Sequence, residues 1–426
     1  MATFVSDVIK VGASKLVVII SGLFSSIITA RYIGPEGNGL IASLMVYPSL
    51  FLTIGSLGIR QATTFFLGKD IFSESQIKAA ITQVWMLTTT LSVVVSYLLI
   101  RYFSNVGENN WLIILSLLPI PFGLFNMYNS GIFLGKNDIN TFNKINWIPS
   151  AVVAVLMFIF LIGLRMGVEG AMLATVGGPL FMFVVLIFRN DFLGYLSMRF
   201  NWAIIKQMLN LGSVYATALF VINLNYRIDV ILLDKLSTSY ELGIYAKGAG
   251  ITQYLWQIPM LLSTVVFARS VSTKNSKQFS FKVAQLMRVS FLLIGLASFV
   301  LYLCSKFLII TMYGVEFKES VAILNLLLPG VLILTIFKVM NMDLAGKGRP
   351  LSSLKAMLPA LFLNIVLNFI FIPNYGAIGA AISSTISYAF GGLVFMLVYC
   401  KETDLRLKDL WHFKMSDFDF LLNRLK

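Results

Sequence analysis

The feature that most limits the fold of this chain is a series of twelve apolar stretches, each long enough to cross a membrane as a helix. The hydrocarbon core of a bilayer is about 30 Å thick, so a helix that rises about 1.5 Å per residue needs about 20 apolar residues to cross it. We call the stretches spans 1 to 12, and they cover residues 14–33, 39–59, 79–100, 111–134, 146–164, 168–188, 209–233, 243–267, 286–309, 321–345, 354–372 and 377–399. Counts of eleven or thirteen stay open, because only residues 165–169 interrupt the apolar sequence between positions 146 and 188. The pattern predicts an all-α integral membrane protein with about twelve transmembrane helices.

The composition supports a membrane protein and argues against an enzyme. Only 12% of the 426 residues are charged, whereas a soluble domain carries about 25%. One His and two Cys supply no ligand set for a metal or an iron–sulfur cluster, and no Walker-type phosphate loop is present. We therefore expect no catalytic residues, no metal and no cofactor. A membrane-embedded transferase is the alternative from another class, but it needs a catalytic His or paired carboxylates, and the single His, His412, follows the last span.

The basic residues predict the orientation of the chain in the membrane. If the N-terminus is cytoplasmic, roughly four times as many Lys and Arg residues lie in the inner connections as in the outer ones. Both termini are therefore expected to be cytoplasmic. The net charge of +14 is then explained by contact with anionic membrane lipids, and no nucleic-acid partner is expected. Residues 401–426 mix apolar and charged side chains, which predicts an amphipathic tail at the inner interface.

An internal repeat divides the chain into two halves. Residues 167–172, GVEGAM, recur as 376–381, GAIGAA, 209 positions later, and residues 134–139, LGKNDI, correspond to 345–350, AGKGRP, 211 positions later. A weaker correspondence links the segments around Gly39 and Gly243. The repeat predicts two six-helix bundles, residues 1–206 and 207–400, followed by the tail at 401–426. Transporters with such repeats bind their substrate between the halves and expose it to each side in turn.

Ionisable residues inside the spans are the first candidates for a functional site, because charge in a bilayer is costly to keep. Span 7 contains Arg227 and Asp229, which point to different sides of a helix, and span 8 contains Lys247. The alternative to a site role for Arg227 and Lys247 is that their long side chains extend to the outer membrane interface. Asp229 is a candidate for carrying a coupling proton or ion, and the alternative is a structural partner for the cations.

Further candidates lie in other spans. Lys338 is in span 10, and Asn364 and Asn368 share one face of span 11. Lys15, Arg31 and Arg60 lie at predicted helix ends, a position that favours ordinary flanking charge over a role in a site. These candidate cations outnumber Asp229, the one acidic residue predicted to lie deep within a span. An excess of positive charge favours an anionic substrate such as a phosphate or pyrophosphate.

Two segments resemble a known family. Residues 30–40, ARYIGPEGNGL, between spans 1 and 2, resemble the first outer loop of Wzx-type polysaccharide-unit flippases. Residues 227–233, RIDVILL, followed by 241–246, ELGIYA, resemble that family's passage from helix 7 to helix 8. These flippases form the polysaccharide transporter family of the multidrug/oligosaccharidyl-lipid/polysaccharide exporter superfamily. The motifs cover about 50 residues, and the twelve-helix plan covers the whole chain.

The resemblance implies a function and a set of site residues. It implies that an undecaprenyl-pyrophosphate-linked oligosaccharide unit crosses the bacterial inner membrane by alternating access through a cationic central cavity. The product would be O-antigen of lipopolysaccharide, capsule or exopolysaccharide, and the protein would act as a monomer beside the polysaccharide polymerase machinery. Many relatives have a small or apolar residue where Lys247 stands. The substrate-binding residues expected here are Arg227, Lys247, Arg31, Arg60, Lys338, Asn364 and Asn368, with Asp229 as the coupling candidate.

Three other transporter classes stay open as alternatives. Multidrug exporters of the same superfamily usually couple to an acid in the first bundle, and span 1 contains none. Peptidoglycan-precursor flippases usually have fourteen helices. Major-facilitator transporters have a basic motif in the loop after span 2, which residues 68–74 do not show.

Overall fold

The computed structural model describes residues 2–136, 138–190, 201–272 and 275–412, and within these ranges the chain is helical and has no β-strand. Fifteen α-helices follow one another within these described ranges. They are α1 (Ala2–Gly55), α2 (Ile59–Gly68), α3 (Glu74–Phe103), α4 (Asn110–Leu117), α5 (Pro119–Gly135), α6 (Ile139–Met157), α7 (Gly167–Asn190), α8 (Trp202–Asn225), α9 (Ile228–Leu236), α10 (Ser239–Leu255), α11 (Gln257–Ser272), α12 (Ser276–Tyr313), α13 (Ser320–Gly346), α14 (Leu354–Thr403) and α15 (Leu407–Trp411). A π-helical turn, Phe158–Gly163, extends α6.

The helices account for the twelve predicted spans. Nine stretches of the described residues are long and apolar enough to cross a membrane. Two of them, residues 12–68 and 350–403, are 57 and 54 residues long, about twice the length of one crossing. The remaining span, span 8, consists of α10 and α11. The prediction of an all-α membrane protein with twelve transmembrane helices is confirmed.

Glycines with positive φ turn the chain between consecutive spans. Gly34, with φ 72°, separates spans 1 and 2 inside α1, and Gly376, with φ 52°, separates spans 11 and 12 inside α14. Gly167, with φ 58°, begins α7. A side chain is strained at such φ values, so these turns require glycine. Gly167 and Gly376 are the first residues of the repeated segment, which explains why both halves keep a glycine there.

The chain forms two compact units, residues 1–220 and 221–426. In the first unit, α1 packs against α6 and α7, and α2 packs against α5. In the second unit, α13 is the central helix and packs against α10, α11, α12 and α14. The domain bounds predicted from the sequence, 1–206, 207–400 and 401–426, stay predictions.

Large apolar side chains are exposed on the long helices, as expected for a surface in contact with lipid. On α12, Leu296, Phe299, Leu303 and Phe307 are each more than 60% exposed. Such a large apolar surface is unfavourable in water and expected against lipid.

Span 2 is interrupted between α1 and α2. Leu57 (φ 43°) and Gly58 (φ 63°) both have left-handed backbone conformations. Gly58 also touches the backbone of Gly212 on α8, and a methyl group built on either glycine would overlap backbone atoms of the opposite segment. The turn therefore requires glycine for its conformation and for this close approach.

The first part of the tail packs against the second unit. Leu410 of α15 is fully buried, and the Arg288 guanidinium on α12 donates hydrogen bonds to the carbonyl oxygens of Asp409 (2.9 Å) and Leu410 (3.3 Å). The Trp411 ring packs edge to face on Phe291. Arg288 thus satisfies carbonyls at the end of a short helix. The rest of the predicted tail, residues 413–426, lies outside the described residues.

Candidate functional site

Span 7 is interrupted in its middle. The helix α8 ends at Asn225, α9 begins at Ile228, and Tyr226 and Arg227 form the turn between them. The cause is a side chain from span 11, because Asn364 donates an amide hydrogen bond to the backbone oxygen of Asn225 at 3.2 Å. A polar side chain that bonds to the helix backbone is a recognised cause of a sharp kink.

The interruption surrounds a fully buried carboxylate. Asp229 has no exposed surface. Its Oδ2 accepts hydrogen bonds from the hydroxyls of Tyr245 (3.0 Å) and Ser384 (2.6 Å), and its Oδ1 accepts one from the amide of Asn368 (3.0 Å). Three donors from spans 8, 11 and 12 therefore hold this group of span 7.

The network continues along spans 11 and 12. The Asn368 amide also donates to Asn364 Oδ1 at 2.8 Å, the Asn364 amide donates to Asn225 Oδ1 at 3.3 Å, and the Ser387 hydroxyl donates to the same oxygen at 3.1 Å. Asn225 Nδ2 and Asn368 Oδ1 are buried and have no partner among the described residues. These hydrogen-bonded side chains form the Asp229 network, which consists of Asn225, Asp229, Tyr245, Asn364, Asn368, Ser384 and Ser387.

The Asp229 network can hold a proton or a small cation. A buried carboxylate without a cationic partner is costly in a low-dielectric environment. Within the described ranges, no Lys or Arg forms an ion pair with Asp229. Groups of three or more His, Cys, Asp or Glu residues that could hold a metal do not occur in the described chain.

The cations of the second unit lie in different surroundings. Arg227 is half-buried in the span 7 turn and forms no ion pair with Asp229 within the described residues. Lys247 is 7% exposed, and its Nζ lies 5.3 Å from the centre of the Tyr313 ring. Lys338 is half-buried, with its Nζ 4.4 Å from the Tyr226 ring and 4.0 Å from the Trp256 ring.

In the first unit, two cations lie within electrostatic range of each other. Arg60 is in the first turn of α2, directly after the span 2 interruption, and Lys15 is on α1. Both are half-buried, and no acidic side chain among the described residues forms an ion pair with either. Arg31, by contrast, is an exposed residue of α1 close to the Gly34 turn.

The structure brings together some of the residues predicted from the sequence and adds others. Asp229, Asn364 and Asn368 form one hydrogen-bonded group, and Lys338 lies beside the span 7 turn. The sequence predicts that Lys15 lies at a helix end, but α1 begins at Ala2, so Lys15 lies well inside the helix. The residues missed are Lys15, Tyr226, Tyr245, Trp256, Ser384 and Ser387. The serines are three apart on one helix face, a spacing that could have indicated a polar face on span 12.

The described residues thus form a multi-pass membrane protein with buried polar and charged groups inside its second unit. A sequence model of the family described as polysaccharide biosynthesis protein matches residues 28–322, well over half of the chain. The chain belongs to this family.

Curated relatives agree with this assignment. The capsular polysaccharide biosynthesis protein CapF of Staphylococcus aureus is 24% identical over 368 residues, which are 81% of this chain and 86% of the relative. An uncharacterized membrane protein of Methanocaldococcus jannaschii is 22% identical over 379 residues, covering 84% of this chain and 89% of that protein. A probable low-salt glycan biosynthesis flippase, Agl15 of Haloferax volcanii, is 23% identical over 164 residues, 38% of this chain and 35% of that protein.

Solved structures show the same fold. The lipid II flippase MurJ in an inward closed conformation matches 98% of this chain and 96% of its own, with a TM-score of 0.72 and 17% identity. An inward-facing multidrug transporter of the MATE family of the MOP superfamily matches 91% of this chain and 94% of its own, with a TM-score of 0.73 and 16% identity. The resemblance to the polysaccharide flippases of this superfamily is confirmed.

Proposed function

We propose that this protein is a flippase that carries an undecaprenyl-pyrophosphate-linked oligosaccharide repeat unit from the inner to the outer leaflet of the bacterial inner membrane. The family assignment supports a role in polysaccharide biosynthesis, and the fold supports a transporter. The polysaccharide would be O-antigen, capsule or exopolysaccharide. Both termini are proposed to be cytoplasmic, the polysaccharide polymerase machinery is the proposed partner, and the monomer is the proposed working form.

The pair Lys15 and Arg60 carries this proposal. Two like charges in a region of low dielectric repel each other, and their proximity is unfavourable unless an anion lies between them. Neither has an acidic partner within the described residues, so both are available to a ligand. A pyrophosphate has the charge and the several acceptor oxygens that an ammonium and a guanidinium bind best.

The remaining predicted cations are also proposed to bind the pyrophosphate. Arg227, Lys247, Lys338 and Arg31 are proposed to line a cationic cavity along which the pyrophosphate moves while the lipid tail stays in the bilayer. Arg227 has the strongest support, because it lies in the span 7 turn and forms no ion pair with Asp229 among the described residues.

Asp229 is proposed as the coupling group, with Asn364 and Asn368 as its supports. These two asparagines were expected to bind substrate, but their amide groups already bond to Asp229 and Asn225. A proton or a monovalent cation that binds Asp229 neutralises a buried charge, and its release restores that charge. Such an event changes the relative free energy of two conformations, which is what coupling requires.

The experiment that tests the function measures polyprenyl-linked oligosaccharides by mass spectrometry in cells with and without the protein, together with their accessibility from the outer face. We expect complete repeat units to accumulate on the inner leaflet when the protein is absent. If no lipid-linked sugar accumulates and sensitivity to drugs rises instead, the protein is a multidrug or small-molecule exporter, an alternative that the MATE-like fold favours.

Variants of the cation pair refine that experiment. We expect Lys15→Ala combined with Arg60→Ala to cause the same accumulation as deletion, while the protein remains in the membrane. Lys69→Ala is the matched control, because Lys69 is an exposed cation just after α2. Normal export by the double variant would remove these two residues from the site.

A further inference from the structure

The Lys338 ammonium lies over two neighbouring aromatic rings, whose centres are 5.2 Å apart, and is not paired with an acid among the described residues. It is 4.0 Å from the centre of the Trp256 ring and 4.4 Å from that of Tyr226. Within the described residues it forms neither an ion pair nor a hydrogen bond through Nζ. An ammonium within about 6 Å of an aromatic face is attracted by the electron density of the ring, most strongly for Trp.

The two rings come from the points at which two spans are interrupted. Tyr226 is in the turn between α8 and α9, and Trp256 is the residue between α10 and α11. Pro259 explains the second interruption, because proline lacks the N–H that would bond to the carbonyl of Leu255, where α10 ends. The two interruptions thus place two aromatic side chains around one lysine of α13.

The rings are held in place by further contacts. The Trp256 Nε1 donates a hydrogen bond to the backbone oxygen of Val331, 3.3 Å away on the same helix as Lys338. Tyr388 packs edge to face against both rings, at 5.7 Å from Tyr226 and 5.8 Å from Trp256. These contacts fix the positions of the two rings independently of Lys338. We call the rings of Tyr226 and Trp256 the cage.

A second polar group in this cage lacks a partner. The hydroxyl oxygen of Tyr226 is buried and has no hydrogen-bond partner within the described residues. A buried hydroxyl without a partner is unfavourable and calls for an explanation. The Tyr226 hydroxyl and the Lys338 ammonium are both donors, and a ligand with several anionic oxygens could accept from both.

We propose that Tyr226 and Trp256 are positioning residues that present the Lys338 ammonium to a phosphoryl group of the transported lipid. The proposal rests on the proposed function and extends it to a defined anion-binding site within the second unit. An aromatic face favours the charged form of lysine without neutralising it, whereas a carboxylate partner would have to be displaced by every arriving anion. The cage thus keeps the cation both ordered and available.

The test measures the dissociation constant of farnesyl pyrophosphate for the full-length protein in nanodiscs, with farnesol as the ligand that lacks the anion. We expect Lys338→Met, Trp256→Leu and Tyr226→Leu each to weaken binding of farnesyl pyrophosphate at least about tenfold, equivalent to about 1.4 kcal/mol. Farnesol binding is expected to stay unchanged. Tyr226→Phe keeps the ring and loses the hydroxyl, so a smaller loss of about threefold is expected, or about 0.6 kcal/mol.

Two further variants separate positioning from structural support. Lys338→Arg should restore binding to within about threefold of the parent, because arginine also stacks on aromatic faces. Trp256→Leu combined with Lys338→Met should be no worse than Lys338→Met alone, since the ring acts through the lysine. A purely structural role for the cage would lower the thermal midpoint and leave the pyrophosphate affinity unchanged.

The outcomes distinguish this proposal from the proposed function. If the parent protein binds farnesyl pyrophosphate and moves lipid-linked sugar, but the cage variants bind it with unchanged affinity, the cage assignment is wrong and the flippase stands. If the parent protein does not discriminate farnesyl pyrophosphate from farnesol, recognition of a pyrophosphate fails, and the cage proposal fails with it.

Discussion

Span 2 in the first unit and its counterpart in the second unit, span 8, are both interrupted, but different side chains support the two interruptions. In span 2, the Tyr128 hydroxyl donates a hydrogen bond to the freed carbonyl of Gly55 at 2.5 Å and pairs with Thr88 at 2.9 Å. In span 8, Trp256 lies under the ammonium of Lys338. Tyr128 and Lys338 are 210 positions apart, the offset of the internal repeat. The same position thus holds a neutral structural group in one unit and a charged group in the other.

The two units place groups of different cost at this position. A neutral hydrogen bond to a broken helix needs only a phenol, and Tyr128 is fully buried in that role. A lysine in the corresponding place adds the cost of a charge in the membrane, which packing alone does not justify. Function is therefore expected where the two units differ at equivalent positions.

The largest effect is expected at Asp229, because the Asp229 network lies wholly in the second unit. Asp229→Leu removes the hydrogen bonds that Tyr245, Ser384 and Asn368 donate to a charged group, each worth about 1.5–3 kcal/mol. Part of this loss is offset, because Tyr245 and Ser384 keep each other as partners and Asn368 keeps Asn364. We expect a loss of roughly 4 kcal/mol in the free energy of unfolding, measured by denaturation in detergent. Asp229→Asn is the control. It keeps one acceptor oxygen, so its free energy of unfolding should fall by only about 1 kcal/mol. Because the amide cannot bind a proton or a cation as the carboxylate does, export by this variant should no longer respond to a proton or sodium gradient. A gradient response in Asp229→Asn would contradict the coupling assignment.

A smaller effect compares the repeated glycines. Gly376→Ala adds a methyl group about 2.7 Å from Glu241 Oε2, which itself accepts a hydrogen bond from the Ala377 N–H at 2.8 Å. Gly167→Ala meets open space and adds only backbone strain. We expect about 2–3 kcal/mol of destabilisation at position 376 and about 1 kcal/mol at 167, read as the shift of the thermal midpoint. Equal shifts would mean that the clash with Glu241 is relieved at no cost.

Substitutions of Tyr128 and Lys338 should affect different properties, because one side chain is neutral and hydrogen-bonded and the other is charged. Tyr128→Phe leaves the Gly55 carbonyl without its donor, so stability should fall by about 1–2 kcal/mol while export continues. Lys338→Met removes an unpaired charge from the membrane, so stability should be kept or increase while export falls about tenfold. Thermal unfolding and the mass-spectrometric export assay measure both. A drop in export for Tyr128→Phe and none for Lys338→Met would reverse the comparison.

The smallest effect is expected where the two units are alike. Glu74 in the first unit pairs with Lys78 (3.0 Å) and Lys136, and Glu402 in the second pairs with Arg349 (2.9 Å) and Lys355 (2.5 Å). Each group is partly exposed, so Glu74→Gln and Glu402→Gln should each cost less than about 1 kcal/mol. The cost should fall further in 0.5 M salt, because the ions screen exposed charges. A large or salt-independent loss at either position would indicate a role beyond surface pairing.

Much of the fold could be predicted from the sequence, because the physical signals are local. The length of an apolar stretch defines a membrane helix, and Gly34, Gly167 and Gly376 mark turns that need positive φ. The span 8 interruption is also local in origin, since Pro259 removes a backbone donor. Span 7 is different: no glycine or proline stands at residues 225–227, and its interruption depends on Asn364, more than 130 residues later.

The site was predictable only in part, for a related reason. Asp229, Asn364 and Asn368 attract attention because polar groups are costly inside a membrane helix. Tyr245 and Ser384, which complete the same network, do not, since hydroxyl side chains are common in transmembrane helices and bond readily to the helix backbone. Aromatic residues such as Trp256 are equally inconspicuous in a chain that contains 35 Phe, 16 Tyr and 6 Trp. Their roles depend on a partner that only the tertiary structure reveals.

The contact between Gly58 and Gly212 has a consequence for the mechanics of the first unit. Two backbones that meet without side chains have no rotamers to interlock, so a change in the angle between α8 and the span 2 turn would require no side-chain repacking at this point. A larger residue at either position would overlap the opposite backbone. Gly58 and Gly212 thus leave this junction without a side-chain barrier to rotation.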